Sequence, residues 1–176
     1  MGRLARLTSE MTNKQYNICV NRFADRLFRF AVKNTRHEAD ARDIVQQSFE
    51  RLWNKRADVD FKKAKSYLFT TAYNAFIDQT RKGKRTDMPG ELPETSERGN
   101  QHNFELKDSL NAALQQLGEV QRRVVLLRDY EGYSYKEIAG IAQLSEAQVK
   151  VYIFRARKKL QQILTQMERV GQTQWR

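Results

Sequence analysis

The sequence predicts an all-α protein made of two small helical domains joined by a flexible linker. Apolar residues recur at intervals of three and four residues along most of the 176-residue chain, which is the spacing of amphipathic helices. Both prolines and three of the eight glycines fall within residues 83–103. Because prolines and glycines interrupt helices, their concentration between two helical halves is typical of a flexible linker.

The first half of the chain carries three helical patterns. Their apolar stripes are Tyr16, Val20, Phe23, Leu27 and Phe30; Ile44, Val45, Phe49, Leu52 and Trp53; and Leu68, Phe69, Ala72 and Phe76. Acidic residues near the start of the second pattern complement the positive end of a helix dipole. The third helix is predicted over residues 64–82, after a short polar loop that contains Phe61. The first half is therefore predicted to form a three-helix domain.

The second half predicts four helices, of which the last two form a helix-turn-helix. Two capping boxes, Ser134 with Glu137 and Ser145 with Gln148, indicate where these two helices begin. The apolar positions of the four helices are Leu106, Leu110, Ala113, Leu114 and Leu117; Val120, Val124 and Leu127; Ile138, Ala139 and Ala142; and Val149, Ile153, Ala156, Leu160, Ile163 and Met167. The last set predicts the core face of a long helix.

These patterns predict five segments along the chain. They are a disordered N-terminal lead over residues 1–12, a first domain over 13–85, a linker over 86–104, a second domain over 105–168 and a C-terminal tail over 169–176. Met11 is an alternative to Met1 as the start of translation.

Composition limits the function. A formal net charge of +11 favours a polyanionic partner, with nucleic acid first and an anionic membrane surface second. No stretch approaches the roughly 20 apolar residues that span a bilayer, so no membrane insertion is expected. Cys19 is the only cysteine, which suits a reducing cytoplasm. Neither His37 nor His102 has neighbours at metal-ligand spacing, and no catalytic constellation can be assembled, so we expect neither an enzyme nor a cofactor.

The outward side of the last helix combines cations with apolar residues. A recognition helix of this kind places its first turns in the major groove of DNA, where Arg and Lys bond guanine and apolar atoms of Val151 or Phe154 meet thymine methyl groups. Arg157, Lys158 and Lys159 are better placed for phosphates. The alternative is a solvated basic face whose aromatic residues pack on another domain. The predicted DNA-binding residues are Ser145, Gln148, Lys150, Val151, Tyr152, Phe154, Arg155, Arg157 and Lys158.

Two blocks of sequence resemble a known family. Residues 114–160 are similar to region 4 of bacterial RNA polymerase sigma factors, and residues 38–56 with 65–85 resemble their region 2. Two such regions with a short linker resemble the extracytoplasmic-function (ECF) group of the sigma-70 family. Ala142-Gln143 replaces the family's usual Leu-Gly in the turn, and Tyr152 replaces a frequent Arg. Because Gln lacks the freedom of Gly at positive φ, the first departure puts the backbone conformation of the turn in question.

The resemblance implies that the second helix of region 2 docks on the β′ clamp helices of core RNA polymerase. Trp53 is the kind of aromatic anchor that dominates interfaces, although a core position against the third helix is an equal alternative. The residues that match the family's polymerase-binding positions are Asp43, Gln46, Gln47, Glu50, Leu52 and Trp53. The expected partners are core polymerase through its β′ clamp helices and β flap, promoter DNA, and an anti-sigma factor.

The resemblance also implies that the loop and third helix of region 2 read and open the −10 element. Aromatic rings and cations suit separated strands, because stacking tolerates any base while cations neutralise phosphates. Tyr67 or Tyr73 could instead be ordinary core residues. The matching candidates are Phe61, Lys62, Lys63, Lys65, Tyr67, Tyr73, Asn74, Asp78, Arg81, Lys82 and Arg85, with Lys84 in the same basic run.

The function that this resemblance implies is promoter-specific initiation of transcription. Region 4 would bind the −35 element, region 2 would grip the polymerase and melt the −10 element, and the linker would span between them. The main alternative is a stand-alone helix-turn-helix regulator whose first half serves dimerisation or ligand sensing. That alternative predicts sequence-specific duplex binding by the pure protein.

Overall fold

The computed structural model of the chain describes residues 10–83 and 101–173, with the side chains of residues 10–81 and 107–169. It is all-α with two helical units, Met1–Glu91 and Leu92–Arg176, which confirms the predicted fold class. The described part contains no strand. The elements are α1 (Asn13–Thr35), α2 (Glu38–Asn54), a 3-10 turn (Phe61–Lys63), α3 (Ala64–Gly83), α4 (Gln101–Gln115), α5 (Glu119–Asp129), α6 (Tyr135–Ala142) and α7 (Glu146–Thr173).

The first unit packs α1, α2 and α3 around one apolar core. The predicted stripe of α1 buries Phe23, Leu27 and Phe30. Phe30 lies at the centre of an aromatic cluster, with ring centroids 5.3 Å from Phe69 and 5.6 Å from Phe76. Aromatic side chains bury large apolar areas and therefore dominate the energetics of a small core. This core fixes the surfaces of α2 and α3 that carry the candidate site residues.

The start of α1 is more ordered than the sequence predicted. Met11 was assigned to a disordered lead, yet its side chain is only 2% exposed. Its amide donates to the carbonyl oxygen of Arg56 at 3.0 Å, and Thr12 forms a capping box with Gln15. Burial of the Met11 side chain and satisfaction of the first helical amides stabilise this arrangement. The rest of the predicted lead, residues 1–9, lies outside the described residues.

The second unit packs α4, α5 and α6 against the long helix α7. Its core contains Leu114, Leu127, Ile138, Val149 and Ile153, all nearly or fully buried. Two helix ends differ from the predicted boundaries. α4 begins at Gln101, inside the predicted linker, and α7 continues to Thr173, through most of the predicted tail.

The rest of the predicted linker, residues 86–100, lies outside the described residues, as do residues 174–176 of the tail. Among the residues that the structure describes, no helix has the length and apolar character needed to cross a membrane. Cys19 is fully buried in the first unit, and burial raises the pKa of its thiol.

Candidate nucleic-acid interface

The helix-turn-helix of the second unit has the two predicted capping boxes. In α6 the amide of Glu137 donates to Ser134 Oγ at 3.2 Å, and the amide of Ser134 donates to Glu137 Oε2 at 2.8 Å. At the start of α7 the amide of Gln148 donates to Ser145 Oγ at 3.2 Å, and the amide of Ser145 donates to Gln148 Oε1 at 2.9 Å. These bonds fix the start of both helices, and they occupy side-chain oxygens of Ser145 and Gln148, two predicted DNA-binding residues.

The turn between α6 and α7 contains a residue in the left-handed backbone conformation, and this residue is not a glycine. Gln143 adopts φ 54° and ψ 45°, and its amide donates to the carbonyl of Ala139. The amide of Leu144 donates to the same carbonyl at 3.0 Å. The turn therefore adopts the left-handed conformation although Gln disfavours it, because the cap bonds and the packing of α6 on α7 impose it.

The inner face of α7 follows the predicted apolar stripe only in part. Val149, Ile153 and Ala156 are buried, whereas Leu160, Ile163 and Met167 are partly exposed. The reason is length, since α7 has 28 residues and the helices that it packs against have 15, 11 and 8. The stripe is a core face near the turn and becomes a half-covered face further along.

The outer face of α7 presents cations and apolar residues to solvent. Phe154 is 69% exposed and Val151 is 45% exposed, which is unusual for large apolar side chains. Lys150, Arg155 and Lys158 are exposed on the same helix. Within the described part of the chain, neither Arg155 nor Lys158 makes a hydrogen bond or an ion pair through its side chain. The predicted residue Tyr152 is half-buried.

Two cations that the sequence assigned to phosphates are engaged within the unit. Arg157 makes a two-point ion pair with Asp129 at the end of α5, in which Nε donates to Oδ2 at 3.1 Å and Nη2 donates to Oδ1. These hydrogen bonds raise the pKa of Arg157. Lys159 Nζ donates to the carbonyl of Gln116 at 2.6 Å. Sequence reasoning missed both partners, because neither lies near its cation in sequence.

An aromatic residue that sequence reasoning missed lies between two cations. The ring centroid of Tyr135, the first residue of α6, lies 4.9 Å from the guanidinium carbon of Arg128 and 5.9 Å from Lys150 Nζ. Both distances fall within the range of cation–π attraction. Arg128 Nη1 also donates to the carbonyl of Tyr133 at 2.8 Å. The contact links α5, α6 and α7, and the residue of α7 that takes part in it, Lys150, is a predicted DNA-binding residue.

The predicted polymerase-binding residues of α2 comprise an exposed polar face, one buried residue and one partly buried residue. Four polar residues, Asp43, Gln46, Gln47 and Glu50, are exposed, and their spacing of three and four places them on one face.

Leu52, by contrast, is fully buried, so its assignment to the polymerase surface is wrong: the apolar stripe of α2 turns it into the core. Trp53 is partly buried, with its ring 4.9 Å from Tyr16 and 4.2 Å from the guanidinium carbon of Arg56.

The candidates for single-strand contact lie along the 3-10 turn and α3. Lys62 and Lys63 are exposed beside the partly exposed Phe61, and the amide of Lys62 donates to Asp60 Oδ1 at 2.8 Å. Tyr73 is only 3% exposed, so it belongs to the core and its assignment as a base-contacting residue is wrong. The other described candidates are partly or fully exposed; they are Lys65, Tyr67, Asn74, Asp78 and Arg81. The side chain of Lys82 and all of Lys84 and Arg85 lie outside the described residues.

Each of the two units matches a known protein family. Residues 19–86 match the family described as Sigma-70 region 2, and residues 107–160 match Sigma-70, region 4. The chain is 32% identical over 139 residues to the ECF RNA polymerase sigma factor SigM of Bacillus subtilis (strain 168), and the match covers 76% of this chain and 85% of SigM. The chain belongs to the ECF group of RNA polymerase sigma factors.

A second ECF sigma factor and two solved structures are also similar to this chain. The chain is 30% identical over 154 residues to SigE of Mycolicibacterium smegmatis, a match that covers 82% of this chain and 60% of that protein. A solved structure of the sigma factor RpoE in complex with the anti-sigma factor NepR, from Bartonella quintana, has a TM-score of 0.75 at 24% identity, with 86% of this chain and 98% of RpoE covered. CnrH, solved in complex with the cytosolic domain of CnrY, has a TM-score of 0.67 at 24% identity, with 90% and 92% covered. These two structures show the shared fold.

The family assignment sets the partners of this ECF sigma factor. Sigma factors bind core RNA polymerase and promoter DNA. A stand-alone helix-turn-helix regulator is not favoured, because the first unit matches region 2 of the family.

Proposed function

We propose that this ECF sigma factor divides promoter recognition between its two units. Region 4, predicted over residues 105–168, binds the −35 element as a duplex, and region 2, predicted over residues 13–85, grips the polymerase and opens the −10 element. The observation that carries the proposal is the outer face of α7, where Phe154 and Arg155 stand exposed on a capped recognition helix. Exposed apolar residues between cations suit a groove that offers both phosphates and base edges.

In region 4 the two sides of α7 have different chemistry. The buried residues Val149 and Ile153 anchor the helix, which leaves Lys150, Val151 and Phe154 directed away from the core. A recognition helix enters the major groove with its N-terminal turns, which is the part of α7 that carries these residues. Phe154 and Val151 supply apolar contacts to thymine methyl groups, and Arg155 supplies donors to guanine.

In region 2 the 3-10 turn and α3 supply contacts to separated strands. Phe61 stands next to the exposed cations Lys62 and Lys63, so that one stacking surface adjoins two phosphate contacts. Tyr67 and Asn74, seven residues apart on one side of α3, add partly exposed side chains. Stacking of an extruded base offsets part of the unstacking cost of a few kcal/mol. Chemistry on the nucleotide belongs to the polymerase.

The exposed face of α2 is the proposed contact with the β′ clamp helices. A row of two carboxylates and two amides is complementary to a basic helical surface. The charge reversal Asp43→Lys is expected to weaken holoenzyme formation by at least tenfold while both units stay folded, because like charges across an interface cost several kcal/mol. Asp25→Lys on α1 makes the same charge change at an exposed position and is the control.

Affinity for core polymerase is measured by fluorescence anisotropy of the labelled chain, and folding is followed by circular dichroism. Equal affinities of the Asp43→Lys and Asp25→Lys variants would mean that the polymerase contacts another face of region 2.

The proposed base contact is tested by Arg155→Ala. Loss of a bidentate contact with guanine is expected to cost about 1 to 3 kcal/mol and to relax preference at one base pair. The measurement compares holoenzyme affinity for a promoter and for its single-base variants. Equal weakening on all of them would assign Arg155 to a phosphate contact.

The function as a whole is tested by run-off transcription with purified bacterial core RNA polymerase. We expect the chain to confer a promoter-dependent transcript on a subset of genomic fragments, and to bind those fragments only weakly without core enzyme. Specific duplex binding by the pure chain, with no transcript on any fragment, would favour the helix-turn-helix regulator.

An anti-sigma factor is the proposed regulator of this chain. The support for this proposal is the solved complex of a protein with the same fold. RpoE of Bartonella quintana was solved in complex with the anti-sigma factor NepR, and its fold matches this chain. A protein other than the polymerase subunits that copurifies with the tagged chain from its native cells is expected to abolish the run-off transcript and to be displaced by excess core enzyme. If every such protein left the transcript unchanged, this part of the proposal would be contradicted.

A further inference from the structure

The end of α5 holds a carboxylate where helix electrostatics disfavours one. Asp129 is the last residue of α5, and its negative charge lies at the negative end of the helix dipole. The side chain is compensated by its two-point ion pair with Arg157 of α7, 28 residues further along the chain. A residue that breaks a local rule and makes a specific long-range contact is a candidate for a functional role.

Tyr135, at the start of α6, contacts a second cation of α7, Lys150. The ring of Tyr135 faces Lys150 Nζ and the Arg128 guanidinium, at 5.9 Å and 4.9 Å from its centroid. Arg128 is itself tied to the carbonyl of Tyr133, so the far side of this contact is anchored to the backbone. The last residue of α5 and the first residue of α6 therefore contact two cations of the recognition helix by two different interactions.

The two cations flank an exposed aromatic residue. Lys150, Phe154 and Arg157 are separated by four and three residues, which places them along one side of α7. Phe154 is the most exposed of the large apolar residues in the described chain. Asp129 and Tyr135 thus contact the cations on either side of the proposed base-contacting residue.

We propose that Asp129 and Tyr135 are positioning residues for DNA binding, which hold Arg157 and Lys150 in the orientation that meets DNA on either side of Phe154. The proposal rests on the function proposed for region 4. Neither residue needs to touch DNA, since each acts through the cation that it contacts.

Arg157 has enough hydrogen-bond donors for both Asp129 and a DNA phosphate. A guanidinium carries five N–H donors in a fixed fork. Asp129 accepts one donor from Nε and one from Nη2, which leaves both hydrogens of Nη1 and one of Nη2 for a phosphate. Arg157 can therefore donate to a phosphate while it stays paired with the carboxylate that restrains it. An ordered side chain loses less conformational entropy when it binds, so the restraint favours association.

The test uses the full-length chain with core RNA polymerase. The DNA probe is the duplex that wild-type holoenzyme selects from a randomised pool, and its affinity is measured at several salt concentrations. Asp129→Asn removes the charge at nearly constant size. Asp108→Asn, at an exposed position of α4, removes the same charge elsewhere in the unit and is the matched control. Tyr135→Leu removes the ring, whereas Tyr135→Phe keeps it.

We expect Asp129→Asn to weaken binding about threefold relative to Asp108→Asn, and Tyr135→Leu to weaken it about twofold to fivefold with Tyr135→Phe near wild type. Arg157→Gln is expected to lower the salt slope by about one. In an Arg157→Gln background, Asp129→Asn is expected to have no further effect on affinity. That loss of effect separates positioning through Arg157 from a general structural role.

Four results would overturn the proposal. Tighter binding by Asp129→Asn than by its control would mean that the carboxylate competes with DNA for Arg157. Equal weakening by Asp129→Asn with and without Arg157 would indicate a structural role only, as would a thermal midpoint that falls in parallel with affinity. If wild-type holoenzyme selects no duplex at all, the proposed function fails, and the positioning roles fail with it.

Discussion

The turn of the helix-turn-helix offers the sharpest test of the physical reasoning, through Gln143→Gly. Gln143 lies at φ 54° and ψ 45°, in the left-handed region. That conformation costs an L-residue roughly 1 to 2 kcal/mol. Glycine avoids this cost but adds roughly 0.5 to 1 kcal/mol of backbone entropy in the unfolded chain. The difference predicts that Gln143→Gly stabilises the second unit by about 0.5 to 1 kcal/mol.

The opposite substitution supplies the control. Gly132 has φ 74°, and an added Cβ would meet no atom within 4 Å, so Gly132→Ala introduces backbone strain without a clash. It is expected to destabilise the unit by about 1 kcal/mol. Hydrogen exchange of the amides of α6 and α7 in the full chain, read by mass spectrometry, measures both changes. If Gln143→Gly accelerated exchange, the strain assigned to Gln143 would be absent and the reasoning refuted.

Two further substitutions, one in each unit, test what stabilises that unit. Phe69→Ala removes a fully buried ring that contacts Phe30 and is expected to cost about 3 to 5 kcal/mol, seen as an earlier unfolding step of the full chain in urea. A loss below about 1 kcal/mol would mean that the aromatic cluster does not organise the first unit. Gly140→Ala, on the exposed side of α6 where an added Cβ meets nothing within 4 Å, is expected to add about 1 kcal/mol of stability. Faster exchange of the α6 amides in that variant would contradict this expectation.

The sequence was sufficient for the fold because helical periodicity and capping are local signals. The capping boxes of Ser134 and Ser145 and the buried stripe of α1 depend on residues within one or two turns of each other. Helix ends were less predictable. α7 extends to Thr173 although its inner face is only half covered beyond Ala156, so hydrophobic spacing alone does not reveal where it ends.

The site residues were harder to predict where their surroundings depend on distant parts of the chain. Leu52 belongs to the apolar stripe of α2 and Tyr73 follows the buried Ala72, yet both were assigned to binding surfaces from the family motifs, and the packing of α1, α2 and α3 buries both. Arg157 was assigned to a phosphate from its place on α7, but its partner Asp129 lies 28 residues earlier. Gln143 adopts a conformation that its residue type disfavours, because packing across the turn outweighs local preference.

The division of labour between the two units is tested most directly by site-specific photocrosslinking. A photoreactive phenylalanine analogue replaces Phe154 in one holoenzyme and Phe61 in another, each bound to an open promoter complex. We predict that position 154 crosslinks to the −35 duplex and position 61 to the single-stranded −10 element. Crosslinks from both positions to the same element, or from position 154 to protein alone, would contradict the account.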